Sequence, residues 1–269
     1  MRDARLYQIA CLGALLAFGA TTGAIGATPG RVAAALAGAL GAQLLFSRSF
    51  GVRFEIRSAL ITTLSLSLLL RTGDPAWMAA AGALAIGSKF LLRTETGHVF
   101  NPANFAIVTL AAVSDAVWTS PGQWGTSVIF AAVFAGLGAA TTARAGRLDT
   151  PFIFLGAYAA LVLGRAAVLG DPMAIPLHAL QNGALIVFAF FMISDPKTTP
   201  DDRLARYVYV ASVAGLAYAL QYHLFDPDGI FHALFIASIA RPLIDAARPA
   251  ARFRWPSEFP ARPRERPAE

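Results

Sequence analysis

Long apolar runs recur along this chain from Leu6 to Ala247, and they constrain its fold more than any other feature. Hydrophobic residues make up 56% of the sequence and charged residues only 14%, whereas a soluble domain carries about a quarter charged residues. One soluble core cannot bury so many apolar runs, and runs of this length suit membrane-spanning helices. The sequence therefore predicts an all-α polytopic membrane protein.

About ten transmembrane helices are predicted, in a single membrane domain over residues 1–248. The ten apolar segments cover residues 6–27, 31–46, 58–70, 76–92, 101–113, 126–143, 150–169, 176–193, 204–224 and 230–247. The fifth segment would rise only about 20 Å as a helix, which is less than the hydrocarbon core of about 30 Å. Such short segments predict broken helices or half-helices inside the bundle.

The position of the basic residues predicts the orientation and the partners. Short basic clusters follow the second and sixth segments, and a Pro/Arg-rich stretch, residues 249–269, follows the last. This pattern predicts a multi-pass protein of the inner (plasma) membrane with both termini in the cytoplasm. Residues 249–269 are predicted to form a disordered tail near anionic lipid. Despite a net charge of +6, the loop location of the charge favours the bilayer as a partner over nucleic acid.

Four dipeptides predict an internal repeat. They are Asp74-Pro75 before the fourth segment, Asp195-Pro196 before the ninth, Asn101-Pro102 at the fifth and Asp226-Pro227 at the tenth. Five segments separate the first from the second and the third from the fourth, so the members of each pair lie on opposite membrane faces. An inverted five-plus-five repeat, of about residues 1–125 and 126–248, produces this pattern. Ordinary helix starts are the alternative.

The stretch "GHVFNPANF", residues 97–105, breaks an apolar region with polar groups. Asn101 can cap a helix, and Pro102 suits the first helical turn because it has no amide hydrogen. His98 adds a titratable ring, while Asn104 and the free amides of that turn would point a positive dipole end at a ligand. Two interpretations stay open: a helix start at the cytoplasmic interface, or a broken helix that lines a polar site.

A second polar break lies in "ISDPKTTPDDR", residues 193–203. Asp195 is predicted to cap a helix that Pro196 starts, with Lys197 and Thr198 in its first turn. A cation there opposes the helix dipole and needs a carboxylate or a ligand. A charged loop with a local ion pair is the alternative. We predict that six residues face one polar region: His98, Asn101, Asn104, Asp195, Lys197 and Thr198.

The remaining polar residues predict neither a metal site nor catalytic residues. The single cysteine, Cys11, excludes a disulfide or a cysteine-ligated metal built from this chain alone. The other histidines are scattered without metal-ligand spacing. Arg241 and Asp245 are four residues apart on one helix and are predicted to pair.

Four motifs occur in a specific order: "HVFNPANFAIV", "WTSPGQWG", "ALIVFAFFMISDPKTTP" and "GIFHALFIASIARPLIDAARP". Together, over roughly residues 50–250, they resemble the RnfD/NqrB family, whose members are membrane subunits of the Rnf complex and of the sodium-translocating NADH:quinone oxidoreductase. The resemblance implies a ten-helix bundle with an inverted repeat, similar to urea and ammonium transporters. It also implies membrane electron transfer through flavin, with FMN attached to a threonine of an Asp/Ser-Gly-Ala-Thr-like motif.

This chain departs from the family at the flavin-attachment motif. The nearest string, "GLGAATTARAG", contains Thr141 and Thr142 but lacks the preceding acidic residue. It also lies on the predicted cytoplasmic side, whereas the family's covalent flavin lies toward the outside. We therefore expect FMN or riboflavin to bind non-covalently, without covalent attachment.

Two functions follow from the sequence. The first is an integral membrane subunit of an Rnf/Nqr-like electron-transport system, coupled to ion movement and placed next to other membrane or redox subunits. Such a chain is part of a membrane oxidoreductase and not a stand-alone enzyme. The second is a transporter or channel for a small polar or flavin-like solute on the same fold.

Overall fold

The computed structural model describes residues 3–23, 25–94, 97–119 and 128–255, and these residues are mostly helical. The α-helices are α1 (Ala4–Thr21), α2 (Pro29–Ser49), α3 (Ile56–Leu69), α4 (Pro75–Leu91), α5 (Pro102–Val113), α6 (Val128–Arg144), α7 (Asp149–Leu169), α8 (Ala174–Leu180), α9 (Gly183–Val187), α10 (Arg203–His223) and α11 (Gly229–Ala247). A π-helix (Phe188–Met192) continues α9, and two short strands, β1 (Leu70–Thr72) and β2 (Val117–Thr119), pair with each other.

Four of the described helices are long and apolar enough to cross a membrane: α1, α2, α7 and α11. A fifth candidate span is the broken pair formed by α8 and residues 183–192, whose axes differ by 49°. The chain is therefore a polytopic membrane protein. All ten predicted apolar segments coincide with helices, but α3 and α5, with 14 and 12 residues, are shorter than a full span. The number of ten spans stays a prediction.

Small residues allow α2 and α4 to pack closely along each other. A Cβ atom on Gly38 would lie 2.0 Å from the carbonyl oxygen of Ala79, and one on Gly82 would lie 2.2 Å from that of Ala35. Both distances are far below van der Waals contact, so only glycine fits at these crossings. Helices in a bilayer associate through such small-residue contacts, because burial of apolar surface gives little driving force in lipid.

The two-stranded β1–β2 ladder closes the ends of the short helices α3 and α5. Its register pairs Leu70 with Thr119, so the chain leaving α3 contacts the chain leaving α5. Arg71 is buried and donates from its guanidinium to the carbonyl oxygens of Ser67 and Leu68 at 3.2 and 3.0 Å. A cation at this position satisfies free carbonyls and complements the negative end of the α3 dipole.

The described start of the tail packs against the bundle. The Arg5 guanidinium lies 4.9 Å from the ring centroid of Trp255, and the amide of Phe253 donates to Asp201 at 3.4 Å. These residues do not follow the disorder predicted for the tail, because their aromatic rings cover arginine side chains. Residues 256–269 lie outside the described residues, as do residues 120–125 of the "WTSPGQWG" motif.

Candidate functional site

The connection between α4 and α5 forms a tight polar hairpin over residues 92–101. The amide of Val99 donates to the carbonyl of Leu92 at 3.1 Å, and that of Thr94 donates to the carbonyl of Gly97 at 2.9 Å. A Cβ atom on Gly97 would lie 2.6 Å from the carbonyl oxygen of Lys197. Glycine is therefore required where this first break touches the second.

Asn101 caps α5, as predicted, and Pro102 occupies its first turn. The Asn101 Oδ1 atom accepts from the amide of Asn104 at 3.2 Å, and its Nδ2 donates to the carbonyl of Met192 at 3.4 Å. Asn104 donates in turn from Nδ2 to the carbonyl of Phe231 at 3.1 Å. The two amides therefore join the start of α5 to the π-helix and to α11.

The second break contradicts the prediction that Asp195 caps a helix. Its Oδ1 accepts from the amide of Lys197 at 3.0 Å, while its carbonyl accepts from the amide and hydroxyl of Thr199 at 3.2 and 2.9 Å. Pro200 follows and disfavours helical geometry at the residue before it. The chain makes turns here, and α10 begins only at Arg203, capped by Asp202.

Asp226-Pro227 also differs from its predicted partner dipeptide. The Asp226 carboxylate accepts from the amide of Asp228 at 2.9 Å and thus forms a turn, while α11 begins at Gly229. Asp74, in contrast, caps α4 through a bond from the amide of Ala76 at 2.8 Å. The members of each dipeptide pair are therefore not locally equivalent.

Arg241 joins the two breaks, although it lies on α11. It is 1% exposed and donates from Nη1 to the carbonyl oxygens of His98 and, at 2.9 Å, Lys197. The predicted pairing with Asp245 is confirmed at 3.2 Å. The sequence interpretation missed the larger role of this arginine. A charged residue inside an apolar helix, which needs internal partners, is the signal that could have revealed it.

A polar cavity of about 90 Å³ lies where these elements meet. Four residues of the predicted site line it: His98, Asn101, Asp195 and Lys197. Asn104 and Thr198 are buried beside it, with 1% and 2% exposure, and do not line it. The structure therefore brings the two predicted polar breaks together around a single space.

Helices outside the two breaks complete the cavity wall. The residues that add polar groups are Arg5, Ser58, Thr62, Lys89, Thr141 and Thr142. Lys89 is 8% exposed, and its Nζ donates to Ser58 Oγ at 2.7 Å and to Gln43 Oε1 at 3.2 Å. The sequence interpretation did not select Lys89, although a lone lysine in an otherwise apolar helix is expected to be functional or internally satisfied.

Burial and neighbouring charge shift the protonation of the two acid–base groups in the helix connections. Burial, with the cations of Lys89 and Lys197, lowers the pKa of His98 to about 3. Burial also raises the pKa of Asp195 above its usual range, although the bond from the Lys197 amide acts in the opposite direction. At neutral pH the cavity therefore contains a neutral imidazole among cationic side chains.

Thr141 and Thr142 are buried in the cavity wall, and both hydroxyls donate within their own helix. Thr141 Oγ1 donates to the carbonyl of Leu137 at 2.9 Å, and Thr142 Oγ1 to that of Gly138 at 3.0 Å. The cavity volume is well below the roughly 300 to 1,000 Å³ of pockets that hold drug-sized ligands. The residues around this cavity therefore do not fit a flavin.

Comparison with known proteins gives one matching family. The model of the NQR2, RnfD, RnfE family matches residues 111–254. This region contains the second break and Arg241, while Lys89 and the first break precede it.

Several curated proteins with the name of RnfD, a component of the ion-translocating oxidoreductase complex, are similar to this chain. The protein of Tolumonas auensis is 33% identical over 97 residues, which cover 36% of this chain and 28% of that protein. The protein of Citrobacter koseri is 32% identical over 102 residues, 38% of this chain and 29% of that protein. That of Shewanella amazonensis is 35% identical over 75 residues, 28% of this chain and 22% of that protein. The chain thus spans less than a third of the length of these relatives.

Proposed function

The chain belongs to the NQR2, RnfD, RnfE family, and on this premise we propose that it is a membrane-embedded subunit of an Rnf-like electron-transport complex coupled to ion movement. The observation that carries the proposal is the family match over residues 111–254. The matched region contributes the π-helix, the second break and Arg241, which together form much of the cavity wall and its support. The names of the similar proteins support the same class of complex.

The proposal includes an inverted repeat in which α1 to α5 correspond to α6 to α11. Support comes from the packing of the helices. In the first half α2 packs on α4 and α4 on α5, and in the second half α7 packs on α10 and α10 on α11. The short α3 and the broken α9 with its π-helix occupy corresponding places, next to α1 and α6 respectively. A fold similar to urea and ammonium transporters would have this arrangement.

Both termini are proposed to lie in the cytoplasm. The contact between Arg5 and Trp255 supports a common side for the two ends of the chain. The basic residues of the tail and of the loop after α2 favour the cytoplasmic side over the outer one.

Within this function, we assign the polar site to His98, Asn101, Asp195 and Lys197. Asn104 and Thr198 hold the surrounding helices and turns in place. The test is electron-transfer activity of the assembled complex with Lys197→Gln or Asp195→Asn, and with Arg203→Gln as a matched charge change on an exposed residue. The assignment requires that the first two variants assemble normally and lose activity. Normal activity in both would remove these residues from the site.

Flavin is not part of the proposed chemistry of this cavity, because the residues around it do not fit the group. A redox protein that assembles with this chain is the better place for it. Acid precipitation of the purified chain tests this separation. Flavin that follows the chain into the pellet would show covalent attachment and would contradict the departure at Thr141 and Thr142.

Purification of the tagged chain from its native membranes tests the function. We expect stoichiometric co-purifying subunits whose reduced-minus-oxidised spectrum shows redox centres. A chain that purifies alone without redox centres would favour the second candidate, a transporter or channel for a small polar solute. The small volume and polar lining of the cavity favour such a solute over a flavin-like one. Solute flux in proteoliposomes would then be the decisive measurement.

A further inference from the structure

Lys89 is a buried cation whose hydrogen-bond partners are neutral. It lies in α4, is 8% exposed, and donates to Ser58 Oγ and Gln43 Oε1. Among the described residues, no carboxylate forms an ion pair with its ammonium group. A lysine ammonium has three hydrogens to donate, so two neutral acceptors leave one donor and the full charge. Buried charges are normally paired or bound to an ion.

The cavity that Lys89 lines has an excess of positive charge. Arg5, Lys89 and Lys197 line it, against the single carboxylate of Asp195. Arg5 is already paired with other acids, Asp3 at 2.7 Å among them, so it contributes less than its formal charge. The first turn of α5, at residues 101–103, adds the positive end of a helix dipole to the same cavity. These charges favour an anion and disfavour a cation such as Na⁺.

The size of the cavity restricts the anion. A volume of about 90 Å³ accommodates several water-sized probes, since one water needs roughly 10 to 15 Å³ of such volume. Formate and inorganic phosphate are in this range, whereas a nucleotide or a flavin is far larger. We propose that this cavity binds a small free anion, which contacts the Lys89 ammonium and the first turn of α5. Binding of the anion does not depend on assembly with redox subunits.

The full chain purified in detergent provides the first test. Sodium formate or sodium phosphate is titrated against sodium gluconate at constant ionic strength, and Tm is measured. Gluconate is too large for the cavity. We expect a saturable rise in Tm of roughly 3 to 6 °C at a tenfold excess over Kd, with no change when K⁺ replaces Na⁺. No response to either small anion, or a response that follows the cation, would overturn the proposal.

Substitution of Lys89 gives the second test. Lys89→Gln removes the charge and keeps a hydrogen-bonding group, and it should abolish the anion-dependent rise in Tm. Arg203→Gln, which removes an exposed positive charge, should leave the rise intact. If Lys89→Gln does not fold, Lys197→Gln should weaken anion binding instead. An unchanged rise in a folded Lys89→Gln protein would refute the site.

A lipid control separates free anions from headgroups. Short-chain phosphatidylglycerol presents an anionic phosphodiester on a much larger molecule. The proposal requires that formate or phosphate raise Tm in its absence. A rise only with the lipid would contradict a site for a free anion. Because all these measurements use the isolated chain, their failure leaves the proposed role in an electron-transport complex untouched.

Discussion

The two polar breaks that meet at Arg241 begin with similar dipeptides and fold differently. Asn101-Pro102 starts α5 at once, because the following residues allow a helix and the Asn101 side chain accepts from the Asn104 amide. Asp195-Pro196 starts a series of turns, because Thr199 bonds back to the Asp195 carbonyl and Pro200 follows. The comparison shows that such a dipeptide determines a turn, while the residues after it decide whether a helix begins.

The two breaks share a dependence on a third element. Arg241 on α11 donates to a carbonyl in each, so neither break is satisfied by its own residues alone. In a bilayer an unsatisfied carbonyl costs several kcal/mol, which makes this arginine the common support of both.

Substitution of Arg241 should therefore damage both breaks and have the largest effect. Arg241→Met should lower the free energy of unfolding by about 3 to 5 kcal/mol, because it removes a buried ion pair and the donors to both carbonyls. Arg241→Lys should lie between, since lysine keeps the charge but not the planar fork. Fluorescence-detected size exclusion and Tm in detergent measure the effect. A Tm of Arg241→Met within a degree of wild type would mean that the breaks hold without it.

Contact between the breaks is also limited by Gly97. Gly97→Ala should cost about 1 to 3 kcal/mol, because the new methyl group would overlap the Lys197 carbonyl oxygen and push the two breaks apart. Gly41→Ala is the matched control, since a Cβ atom there meets nothing within 4 Å and alanine favours a helix. The control should be neutral or slightly stabilising. Equal Tm values for the two variants would contradict the tight contact.

His98 makes the first break sensitive to acid. Its folded pKa of about 3 is below the ordinary value of 6.5, so the unfolded chain binds more protons between these pH values. Stability is therefore complete above about pH 6.5 and falls as the pH is lowered, by about 1.4 kcal/mol at pH 5.5. His98→Gln should show a flatter decline in Tm between pH 7.5 and pH 5.5. His223→Gln, on an exposed residue, serves as the control. Parallel declines in wild type and His98→Gln would exclude a buried neutral imidazole.

Local patterns predict much of this fold, and contacts between distant residues account for what they miss. Apolar runs give the helix positions, and the Asn101 cap depends on residues three positions apart, so both can be read from the sequence. Lys89 meets Gln43, and Arg241 meets His98, only after the chain has folded. A lone charge in an apolar helix indicates that a partner exists without indicating which one. The error at Asp195 has a different source, because the bond from Thr199 that competes with a helix cap is itself local.

The smallest effect distinguishes the true cap of α10 from the predicted one. Asp202 accepts from the amide of Ala205 at 2.8 Å, so Asp202→Ala should cost about 1 kcal/mol. Asp195→Asn keeps the acceptor for the Lys197 amide and removes a carboxylate whose pKa is raised by burial. Since the charged form is the disfavoured one in the folded chain, this change should leave the stability at neutral pH equal or slightly higher. Tm values measured side by side decide between them. A larger loss for Asp195→Asn than for Asp202→Ala would mean that Asp195 supports α10 after all, and the difference between the two breaks would disappear.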